Sequence, residues 1–360
     1  MDKRYLILED GTYYSGIRFG SAVTTTGELT FQTSNYGYQE AITDPTNSGR
    51  ILVFTTPILG NAGISAIDYE SIDPTVKGVV INQLDYNQGI HNDLFNLDAF
   101  LKEKNIPGLY NVDTRSLVRK ITRQNVKKAS FMDANDQHAF DQIKALVLPK
   151  NLASMVSTKQ AYAAPNVGKT VIVLDLGIKH SLLRELSLRN INTLVLPFNT
   201  KLEEILSLNP DGVIISNGPG HLKDVSAIKP VVESLMGKVP VMAIGLGFLV
   251  TSELLGLSLT DRTRIGFYGT NFPIIDQNKT QKLKQTSMNV QQLVQADKRL
   301  DDYDFKEVYY ELHHHYIAGY ELQDMPLLAV AFNPEAAPGT KEAVVILDDF
   351  LRLMEEQKNV

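Results

Sequence analysis

The chain has 360 residues, of which 43% are hydrophobic and 21% charged, a balance typical of a globular protein. At roughly 150 residues per domain, two domains are expected. The 35 basic and 41 acidic residues leave a net charge of −6, which predicts no basic surface for nucleic acid or an anionic membrane. The absence of cysteine excludes disulfides, thiolate metal sites and a cysteine nucleophile.

The N-terminal sequence predicts no targeting segment, because the apolar run at residues 5–8 is interrupted at once by Glu9, Asp10 and Gly11. The longest apolar run, at residues 241–250, is about half as long as a membrane span. Together with the absence of cysteine, these features predict a soluble, cytoplasmic protein.

The first half of the sequence predicts short strands separated by turns. Residues 5–8 and 13–19, with a turn between them, predict a β-hairpin. Short apolar runs at residues 51–55 and 78–81 predict further strands. A helix is predicted at residues 98–104, where the chain then reaches a proline and a glycine.

A second helix is predicted at residues 113–124, with Asp113 as its N-cap and a solvated basic outer face. Residues 158–168 lack periodicity and contain small residues, proline and glycine, so they predict a linker. The predicted domains are therefore residues 1–157 and residues 169–360.

The second half alternates strands and helices, an order that predicts a doubly wound α/β domain with a parallel sheet. The predicted elements are strand 170–174, helix 178–189, strand 193–196, helix 202–208, strand 212–215, helix 231–236, strand 241–244 and helix 247–255. In such sheets ligands bind beyond the carboxyl ends of the strands. Gly177, residues 218–220 and residues 245–247 are expected there.

Residues 240–249 have the layout of a nucleophile elbow, in which a strand, a tight turn and a helix follow one another. The helix N-terminus and the backbone N–H groups of such a turn can hold an oxyanion. The apex residue here is Gly245, which has no side chain to act as nucleophile. The stretch is therefore either an ordinary glycine-rich turn or a former active site.

Eight motifs occur in a fixed order along nearly the whole chain. They are LEDGT at 8–12, GELTFQTS at 27–34, GYQEAITDPT at 37–46, TPILGNAG at 56–63, IPGLYNVDTR at 106–115, LDLGIK at 174–179, SNGPG at 216–220 and PEAAPG at 334–339. As a set they resemble the glutaminase (small) subunit of carbamoyl-phosphate synthase. The resemblance implies a β-rich N-terminal small-subunit domain followed by a doubly wound class I glutamine amidotransferase-like domain.

The sequence departs from this family at the catalytic positions. The family elbow Gly-Ile-Cys-Leu-Gly-His-Gln places its nucleophilic cysteine at Gly245, and the family's His-Pro-Glu places its general base at Asn333. Only the acid of the triad, Glu335, is retained. Transfer through a covalent thioester needs a thiolate and a base. The resemblance therefore predicts a degenerate glutaminase site.

The resemblance also implies a set of substrate-binding positions. Gly218, Gly220 and Leu246 match residues that contribute backbone contacts in relatives. Thr46 keeps the hydroxyl of the family's serine, and Leu249 replaces a glutamine that contacts the substrate.

The remaining pocket positions lie in two altered stretches. Residues 313–317 align with the family's Gln-Asn-His-Gly-Phe, which assigns His314, Tyr316 and Ile317 to the pocket and puts Tyr316 in place of a glycine. Residues 265–273 lose the two histidines and the arginine of the family stretch, and Ile265 replaces its phenylalanine. These changes predict altered recognition of glutamine.

Three consecutive histidines at residues 313–315 suggest a metal site. On a strand only His313 and His315 would share a face, and no third ligand is evident nearby, so a polar loop is the favoured interpretation. No metal or cofactor is expected in this chain. The resemblance implies that ATP and magnesium are bound by the large subunit.

Two hypotheses for the function remain. The first is a pseudo-glutaminase that pairs with the large synthetase subunit, which makes carbamoyl phosphate from bicarbonate, ATP and a nitrogen donor, here free ammonia. The second is a regulatory or ligand-binding paralogue that binds the large subunit or a small molecule without taking part in synthesis. Hydrolysis by Ser216 or Thr46 is disfavoured, because no motif places a histidine beside either. Arginine and pyrimidine synthesis fit equally well.

Overall fold

A computed structural model describes residues 2–85, 96–133, 137–147, 149–261, 266–277 and 283–358. These residues form two compact units, Met1–Pro149 and Lys150–Val360. Within the described ranges, no helix is both long and apolar enough to cross a membrane.

The first unit is built on a closed barrel, and its strands and helices are short. The strands are β1 (Lys3–Leu8), β2 (Tyr13–Gly20), β3 (Thr25–Gln32), β4 (Arg50–Phe54), β5 (Ile58–Leu59), β6 (Gly78–Val80), β7 (Gln83–Leu84), β8 (Pro107–Tyr110) and β9 (Lys128–Met132). The helices are α1 (Tyr38–Thr43), α2 (Leu97–Glu103), α3 (Thr114–Gln124) and α4 (Gln137–Ala145). The barrel order is β1-β2-β8-β6-β4-β3-β9.

The predicted elements of this unit are confirmed. Strands β1 and β2 pair antiparallel as the predicted hairpin, and Leu8 N donates to Thr12 O across its turn at 2.8 Å. The apolar runs at 51–55 and 78–81 correspond to β4 and β6, and the helix at 98–104 to α2. Asp113 caps α3 as predicted, because its carboxylate accepts from Ser116 N at 2.9 Å.

The second unit contains an eleven-stranded sheet flanked by helices. Its strands are β10 (Tyr162–Ala164), β11 (Thr170–Asp175), β12 (Asn192–Pro197), β13 (Gly212–Ile215), β14 (Val241–Ile244), β15 (Phe267–Asp276), β16 (Leu283–Val290), β17 (Phe305–Glu311), β18 (Ile317–Leu322), β19 (Leu327–Val330) and β20 (Phe332–Asn333). Its helices are α5 (Leu152–Val156), α6 (His180–Leu188), α7 (Leu202–Ser207), α8 (Lys229–Leu235), α9 (Leu246–Leu254) and α10 (Ile346–Lys358).

The centre of this sheet is parallel, as the alternating pattern predicts. Strands β12, β11, β13, β14 and β19 lie side by side and parallel. Their side chains are almost all buried, which explains why the sequence reads as unbroken apolar runs. Because β12 and β13 lie on opposite sides of β11, the strand order reverses there. Such a switch point opens a crevice at the carboxyl ends of the strands.

The predicted linker differs from the structure. Residues Tyr162–Ala164 form an antiparallel edge strand against β12, and Thr158 N donates to Asp175 Oδ2 at 2.7 Å. The segment therefore belongs to the second unit, whose first residue is Lys150. An edge strand of only three residues gives too short a pattern for its period to be read from the sequence.

Candidate functional site

Three loops meet at the carboxyl ends of β11, β13 and β14, and the predicted elbow is one of them. Gly245 follows β14 and precedes α9, with φ 57° and ψ −106°. Residues that carry a β-carbon avoid this region unless the surrounding structure holds them in it. Gly245 N donates to Val330 O at 2.8 Å, so the neighbouring strand fixes the turn. The elbow backbone is present although its apex has no side chain.

Two further glycines allow the loops to approach each other closely. A β-carbon on Gly247 would lie 2.5 Å from Ile215 O, and one on Gly218 would lie 2.3 Å from Leu176 O. Both neighbours are backbone atoms, which cannot move aside as the end of a side chain can. Glycine is therefore required where α9 packs on β13 and where the loops after β11 and β13 touch.

The side chain of Asn217 lies at the centre of the elbow. Its Oδ1 accepts from Gly218 N at 2.8 Å and from Leu246 N at 2.9 Å. We call Gly245 and these two N–H groups the cradle, because they form the arrangement that holds an oxyanion in a nucleophile elbow. Sequence reasoning missed Asn217. The available signal was its position, a polar residue directly before Gly218, which the resemblance assigns to backbone contacts with the substrate.

Asn217 also connects the cradle to Asn333, which stands at the position of the family's general base. Asn333 ends β20 with its side chain buried, and its Oδ1 accepts from Asn217 Nδ2 at 3.0 Å. Gly245, Gly218, Leu246 and Asn333 thus lie close together, and the residue that connects them, Asn217, is one that the resemblance did not single out.

Glu335, the retained acid, is held by a lysine. Glu335 Oε1 lies 2.8 Å from Lys179 Nζ, and the two side chains are only 3% and 2% exposed. Lys179 Nζ also donates to the backbone oxygens of Ala336 and Ala337, which have positive φ angles of 63° and 50°. The lysine therefore neutralises the acid and fixes an unfavourable turn that follows it.

Two other predicted positions near the elbow, Gly220 and Leu249, stabilise the local backbone and the core. Gly220 has a φ of 91°, which favours glycine. Leu249 lies in the first turn of α9, 3% exposed and within the hydrophobic core of the unit. Its N donates to Gly245 O at 3.1 Å, so the helix begins at the elbow itself.

The hydroxyls considered as alternative nucleophiles are both engaged locally. Ser216 Oγ accepts from Leu176 N and donates to Asn217 O, each at 2.9 Å. Thr46 belongs to the first unit, where it is buried and its Oγ1 donates to Asp44 Oδ1 at 2.6 Å. Each hydroxyl stabilises the loop in which it lies.

The histidines at 313–315 do not lie on a strand. The chain turns after β17, and the Glu311 carboxylate accepts from His313 N at 3.0 Å and His314 N at 2.8 Å. His315 has a φ of 54°. The strand geometry considered for His313 and His315 is therefore wrong, because the buried carboxylate of Glu311 stabilises a turn instead. Among the residues that the structure describes, no group of three or more His, Asp or Glu side chains could hold a metal.

Four residues from the two altered stretches pack against one another as an aromatic cluster: Phe267, Phe272, His314 and Tyr316. His314 stacks on Tyr316 with ring centroids 5.5 Å apart and planes 2° apart. Phe267 makes edge contacts with the other three rings at 6.0–6.3 Å. Ile317, next along the chain, begins β18 and is fully buried. Ile265 lies outside the described residues.

Asp175 supports the loop between β11 and α6. Burial raises the pKa of its carboxyl, although the backbone N–H groups of Ile178, Thr158 and Gly177 oppose that rise by donating to it. These hydrogen bonds, 2.7–2.9 Å long, hold the loop whose Leu176 oxygen contacts Gly218.

A parallel sheet with an elbow after β14 and a buried acid after β20 has the arrangement of a class I glutamine amidotransferase. Residues 172–353 match the family described as "Glutamine amidotransferase class-I". Residues 6–131 match "Carbamoyl-phosphate synthase small chain, CPSase domain". The chain thus combines an amidotransferase domain with a carbamoyl-phosphate synthase small-chain domain.

Three similar proteins match this chain over nearly its whole length. The carbamoyl phosphate synthase small chain of Streptococcus mutans is 41% identical over 99% of this chain and 98% of its own length. Those of Streptococcus pyogenes and Lactococcus lactis are each 40% identical over 99% of this chain, and over 98% and 100% of their own lengths. The chain belongs to the carbamoyl phosphate synthase small-chain family, which confirms the resemblance read from the motifs.

Proposed function

We propose that this chain is a carbamoyl phosphate synthase small subunit that pairs with a large synthetase subunit in the cytoplasm but does not hydrolyse glutamine. The observation that carries the proposal is the glycine at the apex of the elbow, Gly245, in a chain without cysteine. Covalent release of ammonia from a carboxamide needs a nucleophile at that apex. The complex would then take its nitrogen from free ammonia.

The groups around the apex support the same conclusion. Asn333 stands at the base position, and a carboxamide does not accept a proton near neutral pH as an imidazole does. Glu335 is paired with Lys179 at 2.8 Å. A water molecule in the cradle would therefore find no placed base among these groups to activate it.

Family membership over the full length supports the pairing. The first unit matches the CPSase domain at residues 6–131, and an isolated glutaminase has no need of such a domain. ATP and magnesium would be bound by the large subunit, so that this chain contributes the partner surface and not the phosphorylation chemistry.

The test is reconstitution with the large subunit from the same organism. The two chains are co-expressed and purified as a complex, and carbamoyl phosphate is measured with bicarbonate, ATP and magnesium plus either glutamine or ammonium chloride. We expect synthesis with ammonium and only background with glutamine. A family member with cysteine at its elbow, paired with the same large subunit, is the control and should use both donors.

Two results would contradict the proposal in different ways. Glutamine-dependent synthesis above background would show that the site is active. Failure of the purified chains to associate would remove the pairing and leave the regulatory or ligand-binding paralogue as the better hypothesis.

A further inference from the structure

The side chain of Asn217 lies where a side chain on Gly245 would lie. A β-carbon built on Gly245 would come within 2.1 Å of Asn217 Cγ and Oδ1 and within 2.5 Å of Nδ2. Non-bonded carbon atoms approach each other favourably only to about 3.5–4.0 Å. In this conformation of Asn217 the two side chains exclude each other, and the place of the nucleophile is filled from within the chain.

Hydrogen bonds fix the Asn217 carboxamide in this place. Its oxygen accepts from both cradle N–H groups, Gly218 N and Leu246 N. Its Nδ2 donates to Asn333 Oδ1 at 3.0 Å and to Asn289 O at 3.4 Å. A carboxamide has two acceptor sites and two donor hydrogens, so all four are used. Because Asn217 is only 5% exposed, moving it would leave several buried groups without partners.

The group that fills the cradle has the chemistry of a glutaminase substrate. Glutamine presents a primary carboxamide, and in an elbow two backbone N–H groups hold its carbonyl oxygen. We propose that Asn217 is an internal ligand of the cradle, whose carboxamide takes the place of the glutamine carboxamide and keeps glutamine out. This inference rests on the proposed function, because it takes the cradle to be a glutaminase site without a nucleophile.

Gly245 and Asn333 both take part in this arrangement. Gly245 leaves the space, since any β-carbon there would displace the carboxamide of Asn217. Asn333 supplies an oxygen acceptor to Nδ2. The two departures from the family motifs thus act with Asn217 as one set, and a cysteine returned to position 245 alone would not give an open site.

The first test is a double-mutant cycle between positions 245 and 217. Gly245→Ala is made in the full-length wild-type chain, in Asn217→Ala and in Asn47→Ala, and the urea midpoint of each is measured. Asn47 is the matched control, because it is also buried and its Nδ2 donates to Ala41 O, far from Gly245 in sequence. The backbone strain of alanine at φ 57° is common to all three backgrounds and cancels.

We expect Gly245→Ala to lower the midpoint in the Asn217→Ala background by less than about half of its effect in the other two. Folding of Gly245→Ala only when Asn217 is also replaced would support the inference equally. Equal shifts in all three backgrounds would overturn it.

The second test needs no substitution. Side-chain amide hydrogen exchange of Asn217 is measured by NMR in the unmodified chain and compared with that of Asn209, which is exposed. We expect protection of Asn217 by about tenfold or more, and no change in the Asn217 or Leu246 resonances when L-glutamine is added at millimolar concentration. Exchange as fast as that of Asn209 would overturn the inference.

The NMR titration also separates this inference from the proposed function. Perturbation of Asn217 and Leu246 by glutamine without release of ammonia would overturn the internal ligand and leave the inactive subunit standing. Release of ammonia would overturn the inactive subunit itself.

Discussion

The cradle and the aromatic cluster differ from the family motifs in opposite ways. In the cradle the reactive groups are absent, but the backbone keeps the elbow, and Asn217 and Asn333 satisfy its polar atoms. In the aromatic cluster, rings replace polar groups at Phe267 and Phe272, and Tyr316 replaces a glycine. A buried site that loses its chemistry must still satisfy its hydrogen bonds, whereas a partly exposed one can exchange polarity for packing.

This difference has a structural origin. The elbow is fixed by close contacts between backbones, such as Gly218 against Leu176 O, which serve the sheet whether or not catalysis occurs. The turn at residues 312–315 is held by the Glu311 carboxylate and by backbone hydrogen bonds, such as the one from His315 N to Glu311 O at 2.9 Å. The rings of the aromatic cluster pack against one another beside it. Close backbone contact therefore keeps the elbow although its apex has no side chain, whereas packing between side chains forms the aromatic cluster.

The largest expected effect concerns Lys179, which forms a buried ion pair with Glu335. Lys179→Met removes the partner of Glu335 and leaves a buried carboxylate, so the free energy of unfolding should fall by about 3–5 kcal/mol. Urea unfolding at neutral pH measures it.

Lys169→Met is the control for this prediction, because Lys169 pairs with the mostly exposed Glu355. An exposed pair contributes about 0–1 kcal/mol. Similar losses for the two variants would contradict the role assigned to the buried pair.

The next effect tests whether backbone contact maintains the cradle. Gly218→Ala would place a β-carbon 2.3 Å from Leu176 O, and the forced shift of a backbone atom should cost about 1–3 kcal/mol. We also expect the Leu246 N–H to lose protection in hydrogen exchange, since Asn217 Oδ1 bridges it to Gly218 N.

Gly212→Ala is the matched control for Gly218→Ala. Its β-carbon would lie 2.6 Å from Met354 Sδ and 2.7 Å from Phe350 Cζ. Both are side-chain atoms, and the flexible methionine in particular can move aside more readily than a backbone oxygen. A loss for Gly212→Ala as large as that for Gly218→Ala would show that crowding in general, and not backbone contact, decides the outcome.

Sequence reasoning was sufficient for the backbone of this site and insufficient for its side chains. The apolar runs that become β11, β13 and β14 and the glycines that follow them predict the crevice, because burial on both faces and close approach leave a readable pattern. The inward orientation of the Asn217 side chain leaves no such pattern. Its orientation depends on an acceptor at Asn333, 116 residues away along the chain, and on empty space at Gly245.

The histidines at 313–315 illustrate the same limit. Whether neighbouring side chains share a face depends on the local backbone, and the buried carboxylate of Glu311 selects a turn. A single acidic residue before a polar run does not distinguish a strand end from a capped turn. The burial of Glu311, which depends on the packing of the whole unit, determines the backbone conformation of this region.

A smaller effect is expected in the aromatic cluster. Tyr316→Ala removes the stacked contact with His314 and the edge contact with Phe267, so it should lower the free energy of unfolding by about 1–2 kcal/mol. Tyr36→Ala is the control, because Tyr36 is 49% exposed and its loss should be within about 0.5 kcal/mol. Equal losses would mean that the rings are merely adjacent and do not stabilise one another.

The smallest effect depends on pH and concerns Asp175, which supports the loop between β11 and α6. Burial raises the pKa of Asp175 above 3.8, so between 3.8 and the raised value the native state holds a proton that the unfolded state has lost. The free energy of unfolding therefore falls as pH rises through this window, by at most about 1.4 kcal/mol per unit of pKa difference. Asp175→Asn removes this titration. The unfolding free energy of the wild type, minus that of Asp175→Asn at the same pH, should decrease as pH rises above 3.8 and then level off. An increase would show that the three backbone donors lower the pKa by more than burial raises it.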